Sequence, residues 1–209
     1  MRPELPFPTP SLVCVLRVRD AEAALWAAGV LAAAGVRALE VPTTIGEGWA
    51  GVIAEIASRH PHAVVGAGTV LEPGQARAAV AKGARFVVSP ILALDVVAEC
   101  IRLGVASIPA GSTPTEIFSG MKAGAAAVKV FPAGLLGGPA FFRALSDPLP
   151  GLPLVASGGV RLEDLAEYRK AGAAGVVLGK TLLPEEAVAR RDARAVGENA
   201  ARYVHAFPS

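Results

Sequence analysis

The chain has 209 residues, 53% of them hydrophobic and 5% aromatic, with a formal net charge of +2. That length suits one domain with a sizeable core and lies near the short end for a complete α/β barrel. A nearly neutral chain without a basic run offers neither a nucleic acid nor a membrane surface an electrostatic footing.

The opening MRPELPFPTP is too proline-rich and too short of apolar residues for a signal peptide, and it reads as a lead-in to the first strand. Strands are expected over residues 12–17, 38–41, 63–66, 86–89, 106–108, 127–130, 154–156 and 175–178. Helices lie between them, among them 21–34, 73–81, 95–103, 114–123 and 162–171, with a further helix at the C-terminus. Apolar strands alternating with helices put the chain in the α/β class. Eight of them predict a single (β/α)8 TIM barrel over residues 1–209, with no linker dividing it. An open doubly wound sheet would call for a glycine-rich turn after the first strand, where Arg17-Val18-Arg19-Asp20 stands instead. The longer apolar stretches are broken by Gly, Pro or charge before they could span a bilayer. With Cys14 and Cys100 in apolar surroundings as buried free thiols, the protein is expected to be soluble and cytoplasmic.

Four helix-to-strand junctions resemble one another: AAAGVRALEVP, AVAKGARFVVSP, KAGAAAVKVFP and KAGAAGVVLGK. Their glycines, Gly35, Gly83, Gly124 and Gly172, are expected to end helices in the left-handed conformation. The residue five places on is Glu40, Val88, Lys129 and Val177 in turn, on strands two, four, six and eight. Alternate strands of a barrel fill the same interior layer, so Glu40 and Lys129 should face each other across it.

Lys129 interrupts an apolar run, Ala-Ala-Ala-Val-Lys-Val-Phe-Pro. A solvated strand-end lysine is the bland alternative, but burial without a role or partner is rare for this side chain. Desolvation would lower its pKa and free the amine to attack a carbonyl. Glu40, in Ala-Leu-Glu-Val-Pro, is either a structural partner for Lys129 or Arg17 or a general acid/base. Arg17 closes the first strand and either binds a substrate carboxylate or pairs with Glu40. Thr69 follows strand three, in Gly-Ala-Gly-Thr-Val, where its hydroxyl and the flexible glycines line a site or, equally, form a helix-capping turn. Ser157, Gly158 and Gly159 follow strand seven, and Gly179 and Lys180 follow strand eight. Barrels often bind phosphate at these two loops, through backbone N–H groups and a helix N-terminus. Lys180 would add a point charge there. His60, His62 and His205 lie neither at ligand spacing on a helix nor at a strand's C-terminal end, which argues against a catalytic metal and against a Ser/His/Asp triad.

The ordered set Leu39-Glu40-Val41-Pro42, Val65-Gly66-Ala67-Gly68-Thr69-Val70, Ser89-Pro90, Ser112-Thr113-Pro114-Thr115-Glu116, Lys129-Val130-Phe131-Pro132 and Ser157-Gly158-Gly159-Val160 resembles the bacterial KDPG/KHG aldolases. These are the 2-dehydro-3-deoxy-phosphogluconate and 4-hydroxy-2-oxoglutarate aldolases, and the chain is also similar to their phosphogalactonate relatives. The resemblance implies a class I aldolase that releases pyruvate, with Lys129 as the Schiff-base lysine and Glu40 as the general acid/base. It implies Arg17 on the pyruvate carboxylate, Thr69 and Pro90 in the pyruvate pocket, and Gly158, Gly159 and Gly179 on a distal phosphate; Ser157 is counted with the substrate-binding residues and Lys180 with the phosphate-binding ones. It further implies a homotrimer acting on a small keto acid without metal or cofactor. Three positions depart from the family pattern: Thr44 where gluconate-type members often have arginine, Pro109-Ala110-Gly111 in place of Pro-Gly, and Lys180 in place of a common serine. All three bear on the distal end of the substrate. A phosphosugar epimerase or isomerase, with Lys129 acting only electrostatically, and a non-enzymatic keto-acid-binding protein are the alternatives from other classes.

Overall fold

A computed structural model describes residues 3–208; Met1 and Arg2 of the lead-in, and Ser209, lie outside the described residues. Nine parallel strand segments run β1 Ser11–Val15, β2 Ala38–Pro42, β3 Val64–Gly68, β4 Phe86–Val88, β5 Ala106–Ile108, β6 Ala110–Gly111, β7 Val128–Val130, β8 Leu154–Ser157 and β9 Gly175–Leu178. Their hydrogen-bonded order is β5-β4-β3-β2-β1-β9-β8-β7-β6. β5 and β6 are two halves of one barrel strand divided by Pro109, which has no N–H to give to a ladder. The carbonyls of Ser107 and Pro109 still accept from the amides of Ala126 and Lys129 at 2.9 and 2.8 Å, which joins this strand to β7. Nine segments thus make eight staves, and the expected TIM barrel is the observed architecture.

The helices are α1 Ala21–Ala33, α2 Trp49–Arg59, α3 Pro73–Ala81, α4 Leu94–Leu103, α5 Pro114–Lys122, α6 Pro139–Ser146, α7 Leu165–Lys170, α8 Glu185–Ala189 and α9 Ala193–Ala206. Their starts are encoded locally. The Asp20 carboxylate accepts from the Ala23 amide at 2.8 Å, Thr113 and Glu116 form a reciprocal capping box, and α3, α5 and α6 open on proline. The four repeat glycines have φ of 93°, 93°, 96° and 79°, the left-handed geometry expected of them.

Most boundaries shift by a residue or so, and three differences are larger or bear on the site. β1 stops at Val15; Leu16 still donates to the Glu40 carbonyl at 2.8 Å, but the Arg17 amide turns back onto the Val15 carbonyl at 2.7 Å. Arg17 therefore lies just past the strand rather than on it. β3 continues to Gly68, because its pairing with β2 carries on through Pro42 opposite Gly68. The 162–171 helix divides into a 3-10 turn, Leu162–Asp164, and α7.

Alternation along each strand separates two apolar clusters. Leu12, Cys14, Leu39, Val41, Val87 and Val176 face the helices in the larger one. Val13, Val15, Ala38, Phe86, Val88, Ile108, Val155 and Val177 fill the barrel in the smaller. The lead-in supplies a floor: Phe7 joins the interior cluster and meets the Phe86 ring edge-on, with centroids 5.3 Å apart. Burying that ring stabilises the closed end by roughly 2 kcal/mol.

Candidate active site

Glu40 lies one position from Leu39 and Val41, which face the helices, so the pleat turns its side chain into the barrel; Lys129 follows the same rule between Val128 and Val130. Val88 and Val177, the other two members of the expected layer, belong to the interior cluster. The layer inferred from the glycine repeat is therefore the layer observed.

Lys129 is 7% exposed and Glu40 2% exposed. Burial holds the lysine amine below its ordinary pKa; Glu40 pulls it back up, and Arg17 pushes it further down. Burial raises the Glu40 carboxyl, against the charges of Lys129 and Arg17. The two groups feel each other's charge without forming an ion pair within 4.0 Å, and Glu40 Oε2 is buried with no hydrogen-bond partner among the described residues. A structural salt bridge from Glu40 to Lys129 or Arg17, the bland alternative, is not what this geometry contains. An orphaned carboxylate oxygen beside a desolvated amine is costly to fold around, and such sites carry function more often than stability.

A cavity of about 380 Å³ opens over these two side chains at the C-terminal ends of the strands. All ten residues singled out from the sequence lie on its wall: Arg17, Glu40, Thr69, Pro90, Lys129, Ser157, Gly158, Gly159, Gly179 and Lys180. Gly158 and Gly159 have φ of 79° and 74°, and the Gly158 carbonyl accepts from the Gly134 amide at 2.8 Å. The amides of Gly158, Gly159, Gly179 and Lys180 give no hydrogen bond to a backbone carbonyl among the described residues, so they remain available to an anion. The helix N-terminus expected with them is absent from the wall. After β9 the chain instead makes a turn, in which the amides of Leu182 and Leu183 donate to the Gly179 carbonyl at 3.0 and 3.1 Å. Lys180 itself is exposed and stands 3.8 Å from Glu185.

Two readings of the Gly66-Ala67-Gly68-Thr69 segment are corrected. The glycines serve by lacking a side chain rather than by flexibility. A Cβ on Gly66 would press on the Phe86 ring at 2.6 Å, and one on Gly68 would overlap the carboxyl of Glu40. Thr69 has φ of 57°, an outlier for a β-branched residue, and the Thr43 hydroxyl donates to its carbonyl at 2.8 Å. Its place is strained and pinned, not a relaxed helix-capping turn.

Phe131 is a site residue that the sequence reading misses. Its ring lines the cavity, with the Lys129 Nζ 5.5 Å from the centroid. Period-two alternation from Lys129 would find it. Cys14 and Cys100 are free and buried, and burial raises both thiols, Cys100 to about 12. Among the described residues no three His, Cys, Asp or Glu side chains gather to hold a metal, and no helix is long and apolar enough to cross a membrane.

Comparison with known proteins extends these observations. The 2-dehydro-3-deoxy-phosphogluconate aldolase of Treponema pallidum is 37% identical over 183 residues, covering 87% of this chain and 86% of its own. The 2-dehydro-3-deoxy-6-phosphogalactonate aldolase of Escherichia coli K12 is 33% identical over 197 residues, covering 94% of both. The crystal structure of the Legionella pneumophila KDPG aldolase, with pyruvate captured as a covalent carbinolamine, superposes with a TM-score of 0.82 at 27% identity, over 92% of this chain and 93% of that one. The isomerase and binding-protein alternatives are left without support. The KDPG and KHG aldolase family model matches residues 7–199, and the chain belongs to that family of class I aldolases, carbon–carbon lyases that work through a Schiff base.

Proposed function

We propose that this aldolase cleaves 2-dehydro-3-deoxy-6-phosphogluconate to pyruvate and glyceraldehyde 3-phosphate, 4-hydroxy-2-oxoglutarate to pyruvate and glyoxylate, or both, with Lys129 as the Schiff-base lysine. The observation that carries this reading is a buried amine, pushed toward its neutral form, sharing a cavity with a carboxyl that does not neutralise it by contact. Neutral Nζ attacks the C2 ketone to give a carbinolamine. Glu40 moves the protons that carry this adduct to an iminium, since Oε2 has no competing partner. The iminium takes up the C3–C4 bonding electrons as the C4 hydroxyl proton is removed, and the aldehyde leaves. Protonation of the enamine at C3 and hydrolysis return pyruvate and the free lysine. Arg17 holds the C1 carboxylate, Thr69, Pro90 and Ser157 line the keto-acid end, and the amides of Gly158, Gly159 and Gly179 receive the distal phosphate with Lys180 as a point charge.

A second substrate reading, the phosphogalactonate epimer, is favoured by the E. coli relative that matches 94% of this chain. One barrel unit, residues 1–209 with its lead-in and C-terminal helix, carries the activity in the cytoplasm. It assembles as a homotrimer through the exposed apolar side chains Leu71, Ile91, Leu94 and Phe118, which follow β3 and β4 and lie on α5.

Borohydride reduction in the presence of pyruvate, read by mass spectrometry, tests the chemistry: the wild type should gain one reduced pyruvate on the Lys129 peptide, and Lys129→Ala should gain none and lose cleavage. Full turnover by that variant refutes the assignment. Kinetics on the two phosphorylated epimers and on 4-hydroxy-2-oxoglutarate rank the substrates.

A further inference from the structure

A second hollow of about 270 Å³ adjoins the catalytic cavity on the side of the β1–α1 and β9–α8 loops. Its floor is apolar, from Val18, Ala23, Leu183, Val188 and Ala189. It shares two wall residues with the catalytic cavity, Arg17 and Lys180. Both are long, exposed side chains; with Arg17 engaged by the keto-acid carboxylate, Lys180 is the group of the partition that can swing aside without moving backbone. Arg17 has no ion-pair partner among the described residues, and Lys180 has only the exposed Glu185 at 3.8 Å. The other cations on the rim are already engaged. Arg19 lies 2.8 Å from Asp20, and Arg191 lies 2.7 Å from Glu22 with its guanidinium 5.4 Å from the Trp26 ring centroid. What the outer hollow offers a ligand is therefore apolar surface, entered past two cations. Glyceraldehyde 3-phosphate, polar throughout, has no use for such a floor.

We infer that the outer hollow is an acceptor-side subsite, which extends the reaction to 2-keto-4-hydroxy acids whose C4 substituent is an alkyl chain or an aryl ring. The inference rests on the aldolase reading above. Its volume is ample, since a hollow of roughly 150 Å³ already holds a benzene ring. The chemistry is the reverse of cleavage. Pyruvate on Lys129 loses a C3 proton to form the enamine, C3 attacks the aldehyde carbon, the aldehyde oxygen takes a proton to become the C4 hydroxyl, and hydrolysis frees the product; no oxidant or reductant is needed. The alkyl tail passes between Arg17 and Lys180 onto the apolar floor.

The test is the addition of pyruvate to straight-chain aldehydes from ethanal to octanal, by the wild type and by Ala189→Trp. Ala189 is exposed at the end of α8 and outside the catalytic cavity, so the indole fills the hollow without entering the core. The wild type should gain up to about fourfold in kcat/KM per added methylene until the hollow is full. Ala189→Trp should lose that dependence while keeping wild-type kcat/KM for cleavage of the phosphorylated substrate, which also certifies its fold. A flat series in the wild type, or an equal rise in both proteins, overturns the subsite. Absence of the pyruvate adduct and of all cleavage in the wild type would instead overturn the aldolase reading, and the subsite with it.

Discussion

Gly68→Ala tests whether the placement of the Glu40 carboxyl governs catalysis. A Cβ on residue 68 would overlap Oε1 and Cδ of Glu40 and stand 2.6 Å from its Cγ, so rotation of the carboxyl alone cannot relieve the clash. Glu40 is 2% exposed, and the space open to its displaced carboxyl is the cavity it lines. Overpacking of this kind costs about 1–3 kcal/mol, which for a chain of this size lowers Tm by roughly 2–12 °C. The larger effect is chemical: a carboxyl displaced by about 1 Å should lower kcat on the order of 100-fold. Gly66→Ala is the matched control. Its Cβ would meet the Phe86 ring at 2.6 Å and should cost comparable stability, but it leaves Glu40 untouched. Thermal melts and steady-state cleavage of both variants, assayed below their melting ranges, separate the two effects. The reasoning fails if folded Gly68→Ala keeps kcat within about threefold of wild type, or if Gly66→Ala loses as much activity as Gly68→Ala.

Lys129→Met removes the charge that holds the Glu40 pKa down, so that pKa should rise further. An acid whose folded pKa lies above its unfolded value contributes stability below the unfolded value and loses it as pH rises through the folded one. Melting temperature of this variant should therefore fall more steeply than that of the wild type as pH is raised from about 5 to 8, and parallel profiles would contradict the coupling. Thr43→Val deletes the donor to the Thr69 carbonyl, at a cost of about 0.5–1.5 kcal/mol in urea denaturation. Released from that bond, Thr69 should relax from its left-handed backbone, and kcat should drop several-fold with pyruvate trapping retained. An unchanged kcat would make the contact purely structural.

Much of the site is legible in the sequence because the signals are local and periodic. A glycine that ends a helix and a residue five places later recur four times, and that spacing alone puts Glu40 and Lys129 on the same interior layer. Phe131 is within reach of the same period-two rule, applied one step beyond the lysine. Arg17 reads as part of the strand because its apolar neighbours carry the pattern; the backbone turn that releases it leaves no trace in composition. The role of Gly68 is not legible at all. It depends on a side chain 28 residues earlier that reaches over it from the neighbouring strand.

Strand period, helix caps and turn glycines belong to neighbours in the chain, and they suffice for the fold class, the barrel and most of the residues singled out on the cavity wall, Pro90 coming from the family resemblance instead. Distances between groups from different staves depend on register and on how far each side chain can extend, and those follow only once the ring has closed. In the closed ring the Glu40 carboxyl has an oxygen without a partner among the described residues, and Thr69, tied to Thr43 from the neighbouring stave, holds a strained backbone. The same ring places an apolar hollow behind Arg17, built from segments near opposite ends of the chain, where no linear pattern could announce it.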